Sequence, residues 1–348
     1  MSQRFIIDYD NPDAGIGHSM GFINRGLKIA LRNQLQLAYA PAQLRKSSRA
    51  NWRWRLKQGL RKLRGAQVYE THNLGDDLNR MLNLAQILPR RNAVERRIRQ
   101  GELRVITLPQ FQIPIPTHEQ IDDEVYRVID TFIQSHPEPN TVFRLKKNPT
   151  GDYEYASTRT WLRSAYDKAR QTDPIALLYP PGSLHIAVHI RRGDLLPGRQ
   201  YADLASRMLP DRWYLEILDL IMAQVHQPLT IHIFSEGKNG VFHSETGEPF
   251  SWMHYYKDSG HQVVEHIDTP FLETFHHLLQ ADYFIGSKSG MTHLAGMLSH
   301  SIKLVPSMWH SYRGADHLCE VPDILDVPSK RAITQFLAHH PPANQDPL

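Results

Sequence analysis

Cysteine is almost absent from this chain: Cys319 is the only one in 348 residues. An intrachain disulfide is therefore impossible. That excludes the small disulfide-stapled scaffolds and fits a reducing compartment. Long apolar runs are missing as well, and none approaches the roughly 20 residues that cross a bilayer as a helix. The N-terminus has no signal-peptide core; Arg4-Phe5-Ile6-Ile7-Asp8-Tyr9 reads as a strand that starts the fold. No internal repeat or low-complexity tract occurs, which excludes solenoids and fibrous arrays. The expectation is a soluble, cytoplasmic protein without a transmembrane segment.

Neither sign of charge dominates. Forty Lys and Arg face 36 Asp and Glu, a formal net charge of +4. Such a mildly basic balance suits an anionic ligand or a membrane surface and does not call for nucleic acid. Hydrophobic residues at 41% and charged residues at 22% are globular values. Histidines are plentiful, yet pairs such as His276-His277 and His339-His340 make no metal-ligand pattern, so no metal is expected.

What is present is a long alternation of strands and helices, and the length allows two ordinary domains. Phe5-Ile6-Ile7-Asp8 is followed by Gly15-Ile16-Gly17-His18, a helical run from Ser19 to about Leu31, and an alternating strand from Leu35 to Tyr39. That order is a βαβ unit with a glycine turn, which is either a ligand-facing loop or only a tight turn. Residues 45–64 carry nine Lys and Arg around Trp52 and Trp54. They read as a solvated insertion or as a surface for a sugar chain, nucleic acid or membrane. The pattern then predicts a helix from about Asn73 to Leu88 with Asp76 and Asp77 in its first turn, and a strand over 103–108. A loop over 109–116, a helix over 118–134, a strand over 141–145 and a helix over 157–170 follow. Pro174, Pro180, Pro181 and Gly182 mark a domain boundary, placed between residues 1–178 and 179–348.

The second half repeats the alternation. A strand ending at Ile190 runs into a loop from Arg191 to about Met208, then a helix from Asp211 to about Gln224, with Asp211 as its N-cap. Strands follow at 229–234, 262–266, 283–286 and 302–305. Helices lie between them at 270–280 and after Ser289, and a last helix runs from Ser329 to His339. Strands alternating with helices argue for parallel sheets flanked by helices.

The chemistry concentrates at His189-Ile190-Arg191-Arg192-Gly193-Asp194. Two adjacent guanidiniums at the C-terminal end of a strand suit a dianion, because their donors match phosphate oxygens bidentately. Gly193 permits a sharp turn or close approach to a ligand. A surface salt-bridge cluster is the other reading. Downstream, Ser287-Lys288-Ser289 follows the strand to Gly286 and opens a helix. Its hydroxyls and free N–H groups are suited to anions, although an ordinary N-cap serine would look the same.

These stretches resemble signatures of GDP-fucose-dependent fucosyltransferases: the α-1,6-fucosyltransferases, nodulation enzymes and protein O-fucosyltransferases. His-Ile-Arg-Arg-Gly-Asp looks like their His-x-Arg-Arg-x-Asp motif. Phe271 to Ser289 resembles the helix ending in Ala-Asp, short strand and serine loop, and Thr230 to Glu236 the middle signature. Gly17-His18 matches a Gly-Asn of the opening loop. The resemblance implies an α/β GT-B fold, two Rossmann-like domains facing a central cleft, with the acceptor on the side of 1–178 and the nucleotide sugar on 179–348. It implies an inverting, metal-independent transfer of fucose from GDP-fucose, as donor substrate, to a glycan hydroxyl, with no cofactor. By position, Arg191 would hold the β-phosphate and stabilise departing GDP. His189, Arg192 and Asp194 would organise the loop, and Ser287, Lys288 and Ser289 would meet the phosphates, with Gly15 and Gly17 lying over them. The family's guanine-reading acid aligns with Thr274, leaving Glu273 as its neighbour. The α-1,6 enzymes carry a glutamate where this chain has Arg199, so His18, Asp194 and Asp203 are the candidate bases. Another nucleotide sugar, or a non-catalytic glycan- or nucleic-acid-binding protein on the same fold, are the alternatives.

Overall fold

The computed structural model describes residues 3–8, 16–40, 74–109, 123–146, 151–196, 202–238, 240–308 and 310–342. Gly15, the basic stretch 45–64 and Arg199 lie outside them, as do the side chains of Asp76, Asp194 and Asp203. The chain falls into two compact units, residues 1–174 with 309–313 and residues 175–308 with 314–348. Among the described residues, no helix is long and apolar enough to cross a membrane.

The first unit holds β1 (Arg4–Ile7), β2 (Gln36–Leu37), β3 (Arg104–Thr107) and β4 (Thr141–Arg144) in one parallel sheet of order β2-β1-β4-β3. Helix Ile16–Arg32 joins β1 to β2, so the βαβ unit is present. Gly17 and His18 are not in a loop, as the sequence reading had them, but in the first turn of this helix. Every residue from Ser19 to Ala30 is buried. A helix with no solvent face has no polar stripe, which is why its apolar residues show no clean period. Three of its buried polar side chains, Asn24, Arg25 and Lys28, are bonded to other segments of the unit. Arg25 pairs bidentately with Asp8 at 2.7 and 3.0 Å, and Lys28 lies 3.0 Å from Asp152 and 2.8 Å from Glu154. Asn24 donates to the carbonyls of Asp152 and Glu154.

The expected helix to Leu88 is two helices, Leu74–Leu82 and Leu84–Ile87, broken at Asn83 with φ 51°. Helix Arg91–Arg99 had no counterpart in the sequence reading. It buries only Val94 completely and is otherwise mostly Arg, Asn and Glu, so no apolar period announces it.

The second unit is a six-stranded parallel sheet. Its strands are β5 (Leu184–Ile190), β6 (Leu229–Ser235), β7 (Gln262–Ile267), β8 (Tyr283–Ile285), β9 (Ile302–Pro306) and β10 (Leu318–Val321), in the order β10-β9-β8-β5-β6-β7. β5 and β6 are buried along their whole length. Alternation along a strand sends neighbouring side chains to opposite faces. Ile186, Val188, Ile190, Ile231 and Ile233 form one apolar core with Trp213, Tyr214, Ile217 and Ile221 of helix Asp211–Met222 and with Ile333 and Leu337 of helix Val327–His339.

The opposite face is built differently. His185 Nδ1 lies 3.2 Å from His232 Nε2, and His232 Nδ1 lies 2.9 Å from His266 Nε2, so three histidines run across β5, β6 and β7. His185 Nε2 donates to the Pro180 carbonyl at 2.9 Å, which requires Nδ1 of that ring to accept from His232. His232 in turn accepts from His266. Tyr179 stacks on His185 at 4.4 Å, and the Leu178 N–H donates to His277 Nε2 at 3.0 Å. His277, on helix Phe271–Gln280, therefore carries its proton on Nδ1, which donates to the Glu273 carbonyl at 2.7 Å. The segment that leads into β5 is thus tied to the sheet through neutral imidazoles.

Candidate functional site

β5 continues to β6 and β7 on one side, whereas β8 continues to β9 and β10 on the other. The carboxyl ends of β5 and β8 are therefore the switch point of the sheet, where diverging connections open a crevice for ligands. Arg191 leaves β5 at that place and the loop Gly286–Ser289 leaves β8 beside it.

The two loops are bonded to each other. His189 Nδ1 sits 2.9 Å from Ser287 Oγ and 2.8 Å from Thr292 Oγ1, and the Ser287 N–H donates to the same threonine oxygen at 3.1 Å. The half-buried Arg191 donates through Nη1 to the Lys288 carbonyl at 3.3 Å. Burial first, and the nearby Arg191 guanidinium second, push His189 down to about 3. It is neutral at ordinary pH, so it anchors the serine loop and is not a proton donor. Helix Gly290–Leu298 starts immediately after Ser289, whose side chain accepts from the Thr292 N–H at 3.2 Å. A guanidinium laid against the start of a helix gathers positive potential in one place, an arrangement that attracts an anion. Gly286 has no room for a side chain, because a Cβ there would collide with Thr292. Among the described residues, no group of three or more His, Cys, Asp or Glu could hold a metal ion.

No protein-family model matches the chain, and no curated protein does. Solved structures do show likeness. A crystal structure of POFUT1 in complex with GDP-fucose is 9% identical with a TM-score of 0.43, over 86% of this chain and 95% of that one. The ADP-heptose LPS heptosyltransferase II of E. coli is 10% identical with a TM-score of 0.41, over 97% of this chain and 98% of that one. The dodecameric iron-containing glycosyltransferase TibC of enterotoxigenic E. coli H10407 is 11% identical with a TM-score of 0.38, over 91% of this chain and 62% of that one. The chemistry of the site rests on its own geometry.

Several expected ligand contacts are already committed within the protein. Arg192 is fully buried, paired with Asp211 and packed against the rings of Tyr214 and Phe242. It supports the fold behind the loop. Lys288 pairs with Asp323, so its charge is already met. The hydroxyls of Ser287 and Ser289 point to His189 and to the Thr292 N–H, and the N–H groups of Gly286, Ser287 and Ser289 bond within the protein as well. Glu273 is exposed in the first turn of helix Phe271–Gln280, and Thr274 is buried with its hydroxyl toward the Thr269 carbonyl at 3.4 Å. His18 is exposed and meets Tyr153 edge-on at 5.9 Å, within the first unit. Asp194 and Asp203 lie in short 3-10 turns, Gly193–Leu195 and Ala202–Arg207, within the stretch expected to be irregular.

Asp211 is also not the helix cap expected of it. Pro210 takes that place, and the Asp211 carboxylate turns to Arg192 instead. Burial, and then the adjacent Glu245 carboxylate, push it up to about 7 even against the pull of Arg192. Replacing Arg192 by alanine is expected to cost about 3 kcal/mol of stability, the loss typical of a broken buried ion pair. Proton uptake by Asp211 trims that loss. Urea denaturation checks it, and an unchanged midpoint would mean that Arg192 holds nothing. Thr292, which bonds both His189 at the end of β5 and Ser287 in the loop after β8, was absent from the sequence reading. Its only signal was its place three residues after the capping serine.

Proposed function

We propose that this chain is a glycosyltransferase of the GT-B type that transfers fucose from GDP-fucose to a glycan hydroxyl, with residues 179–348 holding the donor and residues 1–178 on the acceptor side. The observation that carries the reading is the contact of Arg191 with the Lys288 carbonyl at the switch point. It sets a permanent cation beside a helix N-terminus, where a diphosphate would gain negative charge as the glycosidic bond breaks. The reaction on this reading is an inverting displacement at the anomeric carbon. Arg191 counters the leaving group and no divalent ion is required. The acceptor hydroxyl loses its proton to a base drawn from His18, Asp194 or Asp203.

A different nucleotide on the same donor site is the second reading. It is favoured by the buried Thr274 standing where the family places its guanine-reading acid, with Glu273 exposed beside it. Incubation with GDP-fucose and a panel of glycans in EDTA should release GDP, and calorimetry should detect GDP binding. Binding of ADP or UDP in place of GDP selects the second reading. No binding of any nucleoside diphosphate rejects both.

A further inference from the structure

The motif glycine points to a residue that the donor reading leaves unused. Gly193 has φ 20°, and a Cβ built on it would collide with the carboxylate and the stem of Glu236. The glycine thus makes room for a side chain of the protein itself. Glu236 stands directly after β6, at the same edge of the sheet as Arg191 and on the strand next to β5.

Its neighbours are fastened on both sides. The buried Ser235 hydroxyl donates to the Ile190 carbonyl at 2.7 Å, tying the end of β6 to the end of β5. The Gly237 N–H donates to Asp268 Oδ1 at 2.9 Å, and the Asp268 N–H returns a bond to the Ser235 carbonyl at 2.9 Å. Gly237 itself has no space for a side chain, because Ile267 and the Val241 carbonyl crowd it. Between these pinned residues Glu236 is exposed, yet laid over the phosphate-side loop. Long exposed carboxylates on a surface are ordinarily free to wander. Here the backbone on either side is held, and a glycine is reserved to admit the group.

In dinucleotide-binding sheets of this strand order the phosphates sit after the first strand, and an acid further along the same βαβ unit accepts from the ribose. β5 is that first strand and β6 the second, so Glu236 occupies the acid's place. Resting on the donor-site reading above, we infer that Glu236 accepts the 2′- and 3′-hydroxyls of the nucleotide ribose. The site is then specific for ribonucleotide donors. A carboxylate offers two oxygens, and the ribose diol presents two neighbouring hydroxyls that can donate to them together.

Calorimetry on the full chain tests this with GDP and 2′,3′-dideoxy-GDP, or with the ADP pair if ADP is what the protein binds. The wild type should bind the ribonucleotide at least about tenfold more tightly. Glu236→Ala should bind both equally, at the level of the wild type with the dideoxy compound. Glu236→Gln, which keeps the shape, should fall between. Thermal melts of the variants should match the wild type, since the side chain is exposed. Equal binding of the two compounds by the wild type, or an unchanged preference in Glu236→Ala, overturns the inference while leaving the donor site standing. Failure of the wild type to bind any of these diphosphates overturns the donor-site reading, and this inference with it.

Discussion

Arg191→Ala should lower turnover of the nucleotide sugar by roughly 100-fold or more, about 3 kcal/mol of transition-state stabilisation, with the fold unchanged. The physical reason is the timing of charge. In the bound donor the diphosphate is already an anion, but the oxygen bridging to the sugar gains most of its charge only as the bond breaks. A guanidinium already held against the Lys288 carbonyl meets that charge without reorganising. Arg191→Lys should recover part of the loss, because lysine restores the charge but not the planar pair of donors. The comparison with Arg192 sharpens the test. Arg192 is fully buried on Asp211, so its replacement should lower stability, whereas replacing half-buried Arg191 should lower rate. Steady-state rates and urea melts of both variants separate the two roles. Equal turnover in Arg191→Ala and wild type would leave the donor site without its central group.

The second unit should lose roughly 3 kcal/mol between pH 7 and pH 5.5. His189 and His232 are pushed down to about 3 and His266 to about 4, with burial the largest cause in each; His185 and His277 are also pushed down by burial. Asp282 and Glu273, the nearby carboxylates, pull His185 and His277 back only in part. The sign follows from which state binds protons. Unfolded histidines take up a proton near their ordinary value of about 6.5, while folded His189, His232 and His266 stay neutral to far lower pH. The stabilisation is therefore complete above about pH 6.5 and drains away as pH falls toward the folded values. Each such group contributes about 1.4 kcal/mol per pH unit below that point. Asp211 works the other way. Raised to about 7, it holds its proton in the folded state and gains stability as pH drops, but it is one group against five. Partial exposure of some rings trims the sum. Chemical denaturation at the two pH values measures the difference, and His232→Gln should flatten the profile. A midpoint that does not move would mean that these rings are protonated in the folded protein already.

Much of the second unit was legible in the chain because its signals are local. β5, β6, β8 and β9 are short runs rich in β-branched and aromatic residues, and the helices between them are broken by proline or serine at their starts. β10 was missed: Leu-Cys-Glu-Val is too short and mixed to announce a strand until it pairs with β9. Helix Arg91–Arg99 was missed for want of an apolar period. The site divides in the same way. Arginine at a strand end and serine at a helix start are patterns of neighbours, and the sequence exposes them. The pairings that occupy Arg192, Lys288 and Ser287 join residues far apart in the chain, Arg192 with Asp211, Lys288 with Asp323 and Ser287 with His189.

By itself, then, the sequence determined that parallel α/β layers would form and that a strand would end in two arginines, since both follow from alternation and from the residues at element ends. Only the tertiary structure decided which arginine stays half-buried, which is entombed, and why Gly193 is a glycine. Those outcomes depend on what stands across the space, Asp211 behind one side chain and Glu236 over the other loop, and no spacing along the chain encodes a neighbour brought in by folding.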